Sequence, residues 1–533
     1  MGLITAGYAG NYFHLPLFFG LDFLFGSIAV LLVLSLYGLT WGIVSACIAG
    51  SYTYFLWNHP YAAVILIAEA AFVGLLLRRQ SRSLLLLSAL YWILIGMPLV
   101  AWFYGGILQV SSSQVWLIML KQAVNGIFNA LIAGLLLSYV PIQQWLGRSA
   151  QRHTLSLQHT LLNLLVAFIF LPTLLLIVLD GQRVIQEINV TVESNLQSIS
   201  TDMAMQLGNW HQQHVQGLQE LANIAAPILS RPDAGTSSQT EILQTAVKLI
   251  NTTFLDMEST FVADPAGLTV ASDPMTDESG RSRIGQLASD EPFIQDIQRS
   301  LKPLITEVHV DEASPYPHVG LSVPVLSNQR LLGFVYSSLK LTKINQLLQS
   351  HIRDRGVMIL ADPQNRIIAS TDPNQALMQV LDRKRDGELN SMGNPLIYHW
   401  LPAKKANVPA VVRWKQSFYV QETVLQNSLP WTLLVRVPAA PYVNDLQTLY
   451  RRNLSIMLLI SILALVFADR ISRVLISPLS KLAGVTTNLP DKLLEQSSVE
   501  WIKSPITEID ALVRNFRLMA IALQEKFREI QRT

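Results

Sequence analysis

The chain has 533 residues, of which half are apolar and only 14% charged, with a formal net charge of +2 and one cysteine, Cys47. Soluble domains average about 25% charged residues, so part of this chain is composed for a non-aqueous solvent. The net charge by itself says nothing of nucleic acid, but the sequence has no basic face, so no nucleic-acid partner is expected, and a single cysteine excludes both internal disulfides and a cysteine-built zinc site.

The charge deficit is local. Residues 1–77 contain Asp22 and Glu69 as their only acidic or basic groups, whereas 181–450 has ordinary soluble composition. Apolar runs long enough to cross about 30 Å of hydrocarbon occur at roughly 17–37, 39–57, 60–77, 84–104, 114–139, 161–179 and 454–469. The first is no cleavable leader, because it lacks a basic start and a second run follows at once. Basic clusters in short loops set the orientation. "RRQSR" (78–82), "GRSAQR" (147–152) and "DRISR" (469–473) follow the third, fifth and seventh runs, so all three belong in the cytoplasm. The N-terminus and 180–453 then fall outside; Arg451 and Arg452 run against the rule.

The first five runs are not plain lipid-facing helices. Lys121, Asn125 and Asn129 are spaced to line one helix face. Glu69 and Lys121 lie at similar depths from the outer ends of their helices, and a mid-membrane charge is costly, so a Glu69–Lys121 pair facing the interior is expected. Two readings stay open: the pair is structural glue, or it belongs to a polar pocket for a small ligand, with His59 at the mouth and Asn125 and Asn129 as hydrogen-bonding groups. The small residues Gly126, Ala130 and Gly134 suit close helix packing, and the tryptophans near the run ends suit interfacial anchoring. In organisation the block resembles the five-span input modules of bacterial signalling proteins, such as the LytS-like and MASE groups. More distantly it is similar to the substrate-binding subunits of vitamin transporters.

From Arg183 onward apolar side chains recur every three or four residues, at 185, 188, 192, 196, 199, 203, 207 and 210, one stripe of a long helix that continues the sixth run. His211 and His214 on this helix are spaced to share a metal, but no third ligand is near in sequence, which favours a wet helix face. Two matching phrases follow, "DPAGLTVASDP" (264–274) and "DPQNRIIASTDP" (362–373), each after an apolar run. Asp-Pro followed by Gly or Asn is turn chemistry, so each phrase predicts a β-hairpin and the recurrence predicts two domains of one kind. Alternating strands such as "VGLSVPVL" (319–326), "LLGFVYSSL" (331–339) and "WTLLVRV" (431–437) complete the pattern.

This order, over roughly 181–450, resembles the double Cache sensor domain of bacterial receptors, with two PAS-like sheets on a membrane-emergent helix. "SDEPFIQDI" (289–297) takes the place of the family's ligand segment, 307–341 resembles the closing strand pair of the distal module, and "LPWTLLVRVP" (429–438) the end of the proximal one. By that resemblance Asp311 stands near the family's amine-binding Asp and His309 near the preceding aromatic. The carboxylate-binding Arg is replaced by Asp290, and the paired aromatics by Pro292 and Phe293. Asp290 and Asp311 therefore suit a cation such as an amine more than an α-amino acid, unless both are simply solvated loop acids.

"VLISPLSKLAGV" (474–485) with "SPITEIDALVRNFRLMAIALQEKF" (504–527) resembles a HAMP linker, Pro478 starting its first helix and Glu508 opening its second. Ile509, Leu512, Phe516, Met519 and Leu523 form a heptad seam that needs a partner helix, as in a dimeric parallel bundle. The chain stops at "EKFREIQRT", where HAMP helices ordinarily lead into an output module.

The expectation is an α+β membrane protein. It comprises a five-span module (1–150), a sixth span (151–180), a stalk and distal Cache module (181–350), a proximal Cache module (351–450), a seventh span (451–470) and a HAMP linker (471–533). The reading is the sensory half of an inner-membrane bacterial receptor with its middle third periplasmic. It takes a small-molecule ligand, dimerises through stalk and HAMP, touches lipid, and serves a histidine kinase or diguanylate cyclase output. It carries no catalytic constellation, cofactor or metal. The rival is a transporter-like solute-binding protein with an accessory outer domain; a HAMP tail argues against it, and a chemotaxis receptor usually has two spans.

Overall fold

The computed structural model describes residues 2–18, 21–79, 83–140, 142, 157–230, 237–277, 279–287, 292–310, 316–352, 356–384, 386–404, 408, 410–425, 429–489 and 501–532. The chain divides into one unit of 1–186, 404–413 and 442–533, and a second of 187–403 and 414–441.

The first apolar run does not become one spanning helix. Helix α1 (Gly2–Tyr12) leads into a short antiparallel pair, β1 (Leu15–Phe18) and β2 (Leu21–Phe23), and then into α2 (Gly26–Tyr37). At 12 residues, α2 is about 18 Å long, short of a bilayer's ~30 Å. Its side chains from Ala29 to Leu34 are all buried, and a helix apolar on every side belongs in an interior. This corrects the reading of 17–37 as a single span. Gly7 lies against Ser45 and Ala49 of α3 (Leu39–Trp57), and the Tyr12 ring meets Tyr52 further along it, so α1 and α3 run in one direction. The N-terminus therefore sits at the end of the bundle where α3 starts, and not at the far end as expected.

Helices α3, α4 (Tyr61–Arg79), α5 (Leu84–Ile107) and α6 (Ser112–Tyr139) match the expected runs, and α5 carries π-helical turns at Trp92–Gly96 and Ala101–Ile107. Gly126 of α6 sits beneath the Trp92 indole, where any Cβ would overlap the ring. Two further apolar helices belong to this unit in part: α7 (Leu157–Leu229), which runs on into the second unit, and α11 (Ala440–Thr486). They meet where the Tyr450 hydroxyl occupies the space a Cβ on Gly181 would need. Among the described residues six helices are long and apolar enough to cross a membrane.

Pro478 does not start a helix; it lies buried inside α11, which carries on past the carbonyl that the missing N–H leaves unbonded. Glu508 stands in the first turn of α12 (Thr507–Arg532), where a carboxylate complements the helix dipole. The linking residues 490–500 lie outside the described residues. On α12, Ile509, Val513 and Ala520 are buried while Leu512, Met519 and Leu523 are exposed, so one chain covers only part of the heptad seam.

The second unit holds α8 (Ser237–Thr253), α9 (Pro292–Ser300) and α10 (Leu341–Ile352). One sheet orders as β4-β3-β7-β6-β5, from β3 (Met257–Ala263), β4 (Thr269–Asp273), β5 (Leu304–Ile305), β6 (His318–Ser327) and β7 (Arg330–Lys340). The other orders as β10-β11-β12-β13-β8-β9, from β8 (Val357–Ala361), β9 (Ile367–Ser370), β10 (Gly387–Ser391), β11 (Ile397–Pro402), β12 (Phe418–Val424) and β13 (Thr432–Pro438). In both, the opening hairpin lies at one edge, and the last strand returns beside the first and leads directly into a helix.

The repeated phrase folds the same way twice. Asp264 Oδ1 accepts from the backbone N–H groups of Ala266 and Leu268 at 2.9 and 2.8 Å, and Asp362 Oδ1 from those of Gln364 and Arg366 at 3.0 and 2.8 Å. Gly267 and Asn365 fill the left-handed position, at φ 91° and 61°, which only Gly and Asn adopt readily. Asp362 is also buried and takes the Arg366 Nε at 2.8 Å. Asp362→Ala is expected to cost about 2–3 kcal/mol in urea unfolding and Asp264→Ala about 1 kcal/mol, because only the former removes a buried carboxylate that also holds a guanidinium. Asn365→Gly, which gives up only the bond accepted from Arg383, should cost less than Asn365→Val, which should destabilise by about 1–2 kcal/mol; equal costs for the two aspartate variants would contradict the assignment.

Candidate functional site

The face of the first sheet that α9 covers is filled with aromatics. Phe293 stacks on Tyr336 with centroids 4.7 Å apart and meets Phe334 edge-on at 5.7 Å, and Phe261 packs on Tyr336 at 5.1 Å. Phe293 is thus a core residue, together with Ile294 and Ile297 of the same helix. His309 lies on the loop beside the sheet edge, bridged to His318 through the backbone, with the two rings 4.5 Å apart. Its Nδ1 donates to the Glu307 carbonyl at 2.8 Å. Asp290 and Asp311, the expected ligand acids, lie outside the described residues. Glu307 reaches the second sheet's hairpin, its carboxylate accepting from the Arg366 guanidinium at 2.6 Å.

The stalk histidines are not on a wet face: His211 and His214 are 4% and 3% exposed. His214 Nδ1 donates to the Trp210 carbonyl at 2.7 Å, while Nε2 lies 2.8 Å from Asp256 Oδ1, off the line of a directed hydrogen bond. Trp210 Nε1 donates to the other Asp256 oxygen at 2.6 Å. Burial disfavours the charged Asp256, yet the close approach of His214 and the bond from Trp210 outweigh it and hold the carboxyl below its ordinary range. Burial, reinforced by His214, pushes His211 down to about 4. Burial does the same to His399, to about 4, where its ring stacks on Trp414 and Nε2 meets the Ser417 hydroxyl at 2.7 Å. The Trp210–His214 spacing on a helix was visible in sequence; Asp256 is brought to it by the sheet alone. No group of three metal-ligating side chains occurs among the described residues.

In the helical bundle the expected Glu69–Lys121 pair is not made. Glu69 Oε1 accepts from Ser88 Oγ at 2.6 Å and Trp92 Nε1 at 2.9 Å, while the Lys121 ammonium lies over the Trp57 ring, 4.9 Å from its centroid. Trp57 also points its Nε1 at Asp22, 3.4 Å away, so acid and ammonium share one indole. Asn125 accepts from the Leu24 N–H and donates to its carbonyl, and Asn129 donates to the same carbonyl at 2.9 Å. These asparagines fasten irregular backbone inside the bundle, where each unpaired peptide group would be costly. His59 is buried among Trp57, Tyr61 and Tyr104. A cavity of about 30 Å³ remains beside Asn11, Trp57, Trp92, Gln122, Asn125 and Asn129, room for one or two waters.

No family model and no curated protein matches the chain. Among solved structures, the ligand-binding domain of Pseudomonas fluorescens chemoreceptor CtaA in complex with L-isoleucine is similar at 16% identity and TM-score 0.36, over 49% of this chain and 97% of that one. The sensor domain of the V. cholerae histidine kinase DctB is similar at 17% identity and TM-score 0.34, over 48% and 98%. The ligand-binding domain of the Pseudomonas aeruginosa PAO1 amino acid chemoreceptor PctB in complex with L-Arg is similar at 17% identity and TM-score 0.34, over 46% and 94%.

An unfolded histidine takes its proton near pH 6.5, but folded His211 and His399 do so only near 4. Acid therefore favours the unfolded chain, and stability falls as pH drops from about 6.5 to about 4, by up to about 3 kcal/mol per histidine. In urea unfolding followed by tryptophan emission, a His211→Leu, His399→Phe double variant should lose most of this pH dependence. An unchanged slope would exclude these histidines as its source.

Proposed function

We propose that the chain is a membrane-anchored receptor that senses a small molecule outside the cytoplasm and signals inward. One observation carries the reading: a soluble unit of two sheets, built on the same turn twice, is continuous at both ends with helices apolar enough to cross a bilayer, α7 before it and α11 after it. Such a chain has a detector clamped between two reporters. The sheets are a tandem of Cache modules, residues 181–350 and 351–450, and the ligand enters the first near His309, Asp311 and Asp290. Two acids, one of them at the position where the resemblance puts a carboxylate-binding arginine, suit an amine.

The tail supports inward signalling. Helices α11 and α12 are a HAMP-like pair whose exposed seam is completed by a second copy. Ligand binding outside shifts the outer unit between two packings, α7 and α11 move relative to one another, and the dimeric bundle passes the change to an output module such as a histidine kinase or diguanylate cyclase. With α1 parallel to α3, the N-terminus shares the cytoplasmic side with Arg78, in keeping with the placement of basic clusters.

Cysteines placed singly at Val380 and Arg473, in a Cys47→Ser background, test the topology. A membrane-impermeant maleimide applied to intact cells should label Val380→Cys and spare Arg473→Cys; the reverse would sink the receptor reading. Oxidation should crosslink Met519→Cys to its counterpart in a second copy. Calorimetry should find amine binding lost in Asp311→Ala, and unchanged affinity would remove the amine assignment.

A further inference from the structure

Glu69 has an oxygen with nothing to bind. Its carboxylate is 1% exposed, and the donors that reach it, Ser88 and Trp92, both go to Oε1; Oε2 has no hydrogen-bond partner. The other titratable groups of the bundle are already engaged. Tyr91 of α5 donates its hydroxyl to the Ile65 carbonyl at 2.7 Å. Lys121 of α6 lies over Trp57, and Asp22 and His14 approach each other at 3.8 Å at the β1–β2 end. His59 sits in its own aromatic cluster. Among the described residues, no Lys, Arg or His forms an ion pair with Glu69. An ionised carboxylate with a bare oxygen is a costly thing to enclose in a bundle at membrane depth.

A proton on Oε2 removes the charge without moving any neighbour, because Oε1 stays a double acceptor and the group becomes neutral. A divalent metal ion does not fit, since it requires several oxygen ligands and no group of three candidate ligands exists among the described residues. The same carboxyl has a route to water. Trp92, which donates to Oε1, also forms part of the cavity wall, and that cavity has room for one or two waters. Trp92 is the first residue of a π-helical turn, a feature common at functional sites, and the absence of a Cβ at Gly126 gives its indole room.

We infer that Glu69 is a proton-binding site inside the helical bundle, and that the Trp92 indole gates it from the adjoining water cavity. When the indole N–H leaves Oε1, the carboxyl meets a cavity water. The O–H bond on Oε2 breaks, its electron pair stays on the oxygen, and the water leaves as hydronium; uptake is the reverse. This goes beyond sensing by the outer unit and stands whether or not that unit binds an amine.

Infrared difference spectra of the full chain in lipid nanodiscs, between about pH 5 and about pH 9, test it. The wild type should show a carboxylic-acid carbonyl band that disappears on the alkaline side and is lost in Glu69→Gln, while Lys121→Met retains it. Identical difference spectra for wild type and Glu69→Gln would overturn the site. Should Glu69→Gln fail to fold by gel filtration, Trp92→Phe decides instead: removal of the indole N–H should shift that band, and an unshifted band would overturn the assignment. A band abolished by sodium or ammonium chloride at fixed pH would overturn the proton as ligand.

Discussion

The two-sheet unit depends on the burial of one stripe along α7. Val192, Leu196, Met203, Leu207, Leu218, Leu221 and Ala225 are almost wholly enclosed, three, four or seven residues apart except across the Leu207–Leu218 interval, where buried His211 and His214 keep the step. Burying a large aliphatic side chain contributes about 1.5–3 kcal/mol, so this row outweighs any polar contact in the unit. It is also what obliges the two histidines to be buried. They sit on the face that the sheet must cover, and at His214 the Trp210 carbonyl takes Nδ1 while the Asp256 carboxylate, itself held by the Trp210 indole, lies 2.8 Å from Nε2.

The bundle answers a different solvent with the same logic. Its irregular stretch, the β1–β2 turn into α2, lies where backbone groups find no water, and Asn125 and Asn129 supply the missing partners at Leu24. Asn11 does the same further along, accepting from the Gly26 N–H and donating to the Ala49 carbonyl at 2.8 Å each. Asn11, Asn125 and Asn129 are therefore committed to holding the fold, whereas the buried carboxylate of Glu69 keeps an unused oxygen.

How much of this was legible follows from how local each cause is. The two hairpins could be read because Asp, Pro and a Gly or Asn sit within four residues and bond to their own backbone. Helices α3 to α6 could be read because length and hydropathy decide them. The 17–37 run was misread because apolar composition on every side marks an interior helix as readily as a lipid-facing one, and only its neighbours distinguish the two. Glu69 and Lys121 share a depth, but depth says nothing of the angle at which each helix is turned. Strand β10, "GELNS", has no apolar alternation and is half exposed at a sheet edge, so no periodic signal existed to find. Asp256 entered the stalk cluster through sheet geometry that no spacing on α7 encodes.

The contact between Glu307 and Arg366 has a mechanical consequence. Arg366 grips its own turn through Asp362 with one nitrogen and holds Glu307 with another, two residues before His309. The guanidinium is rigid and planar, so the loop carrying His309 and the opening turn of the second sheet are tethered across a single side chain. Displacing that loop by even an ångström must either break a 2.6 Å contact or drag the neighbouring hairpin with it.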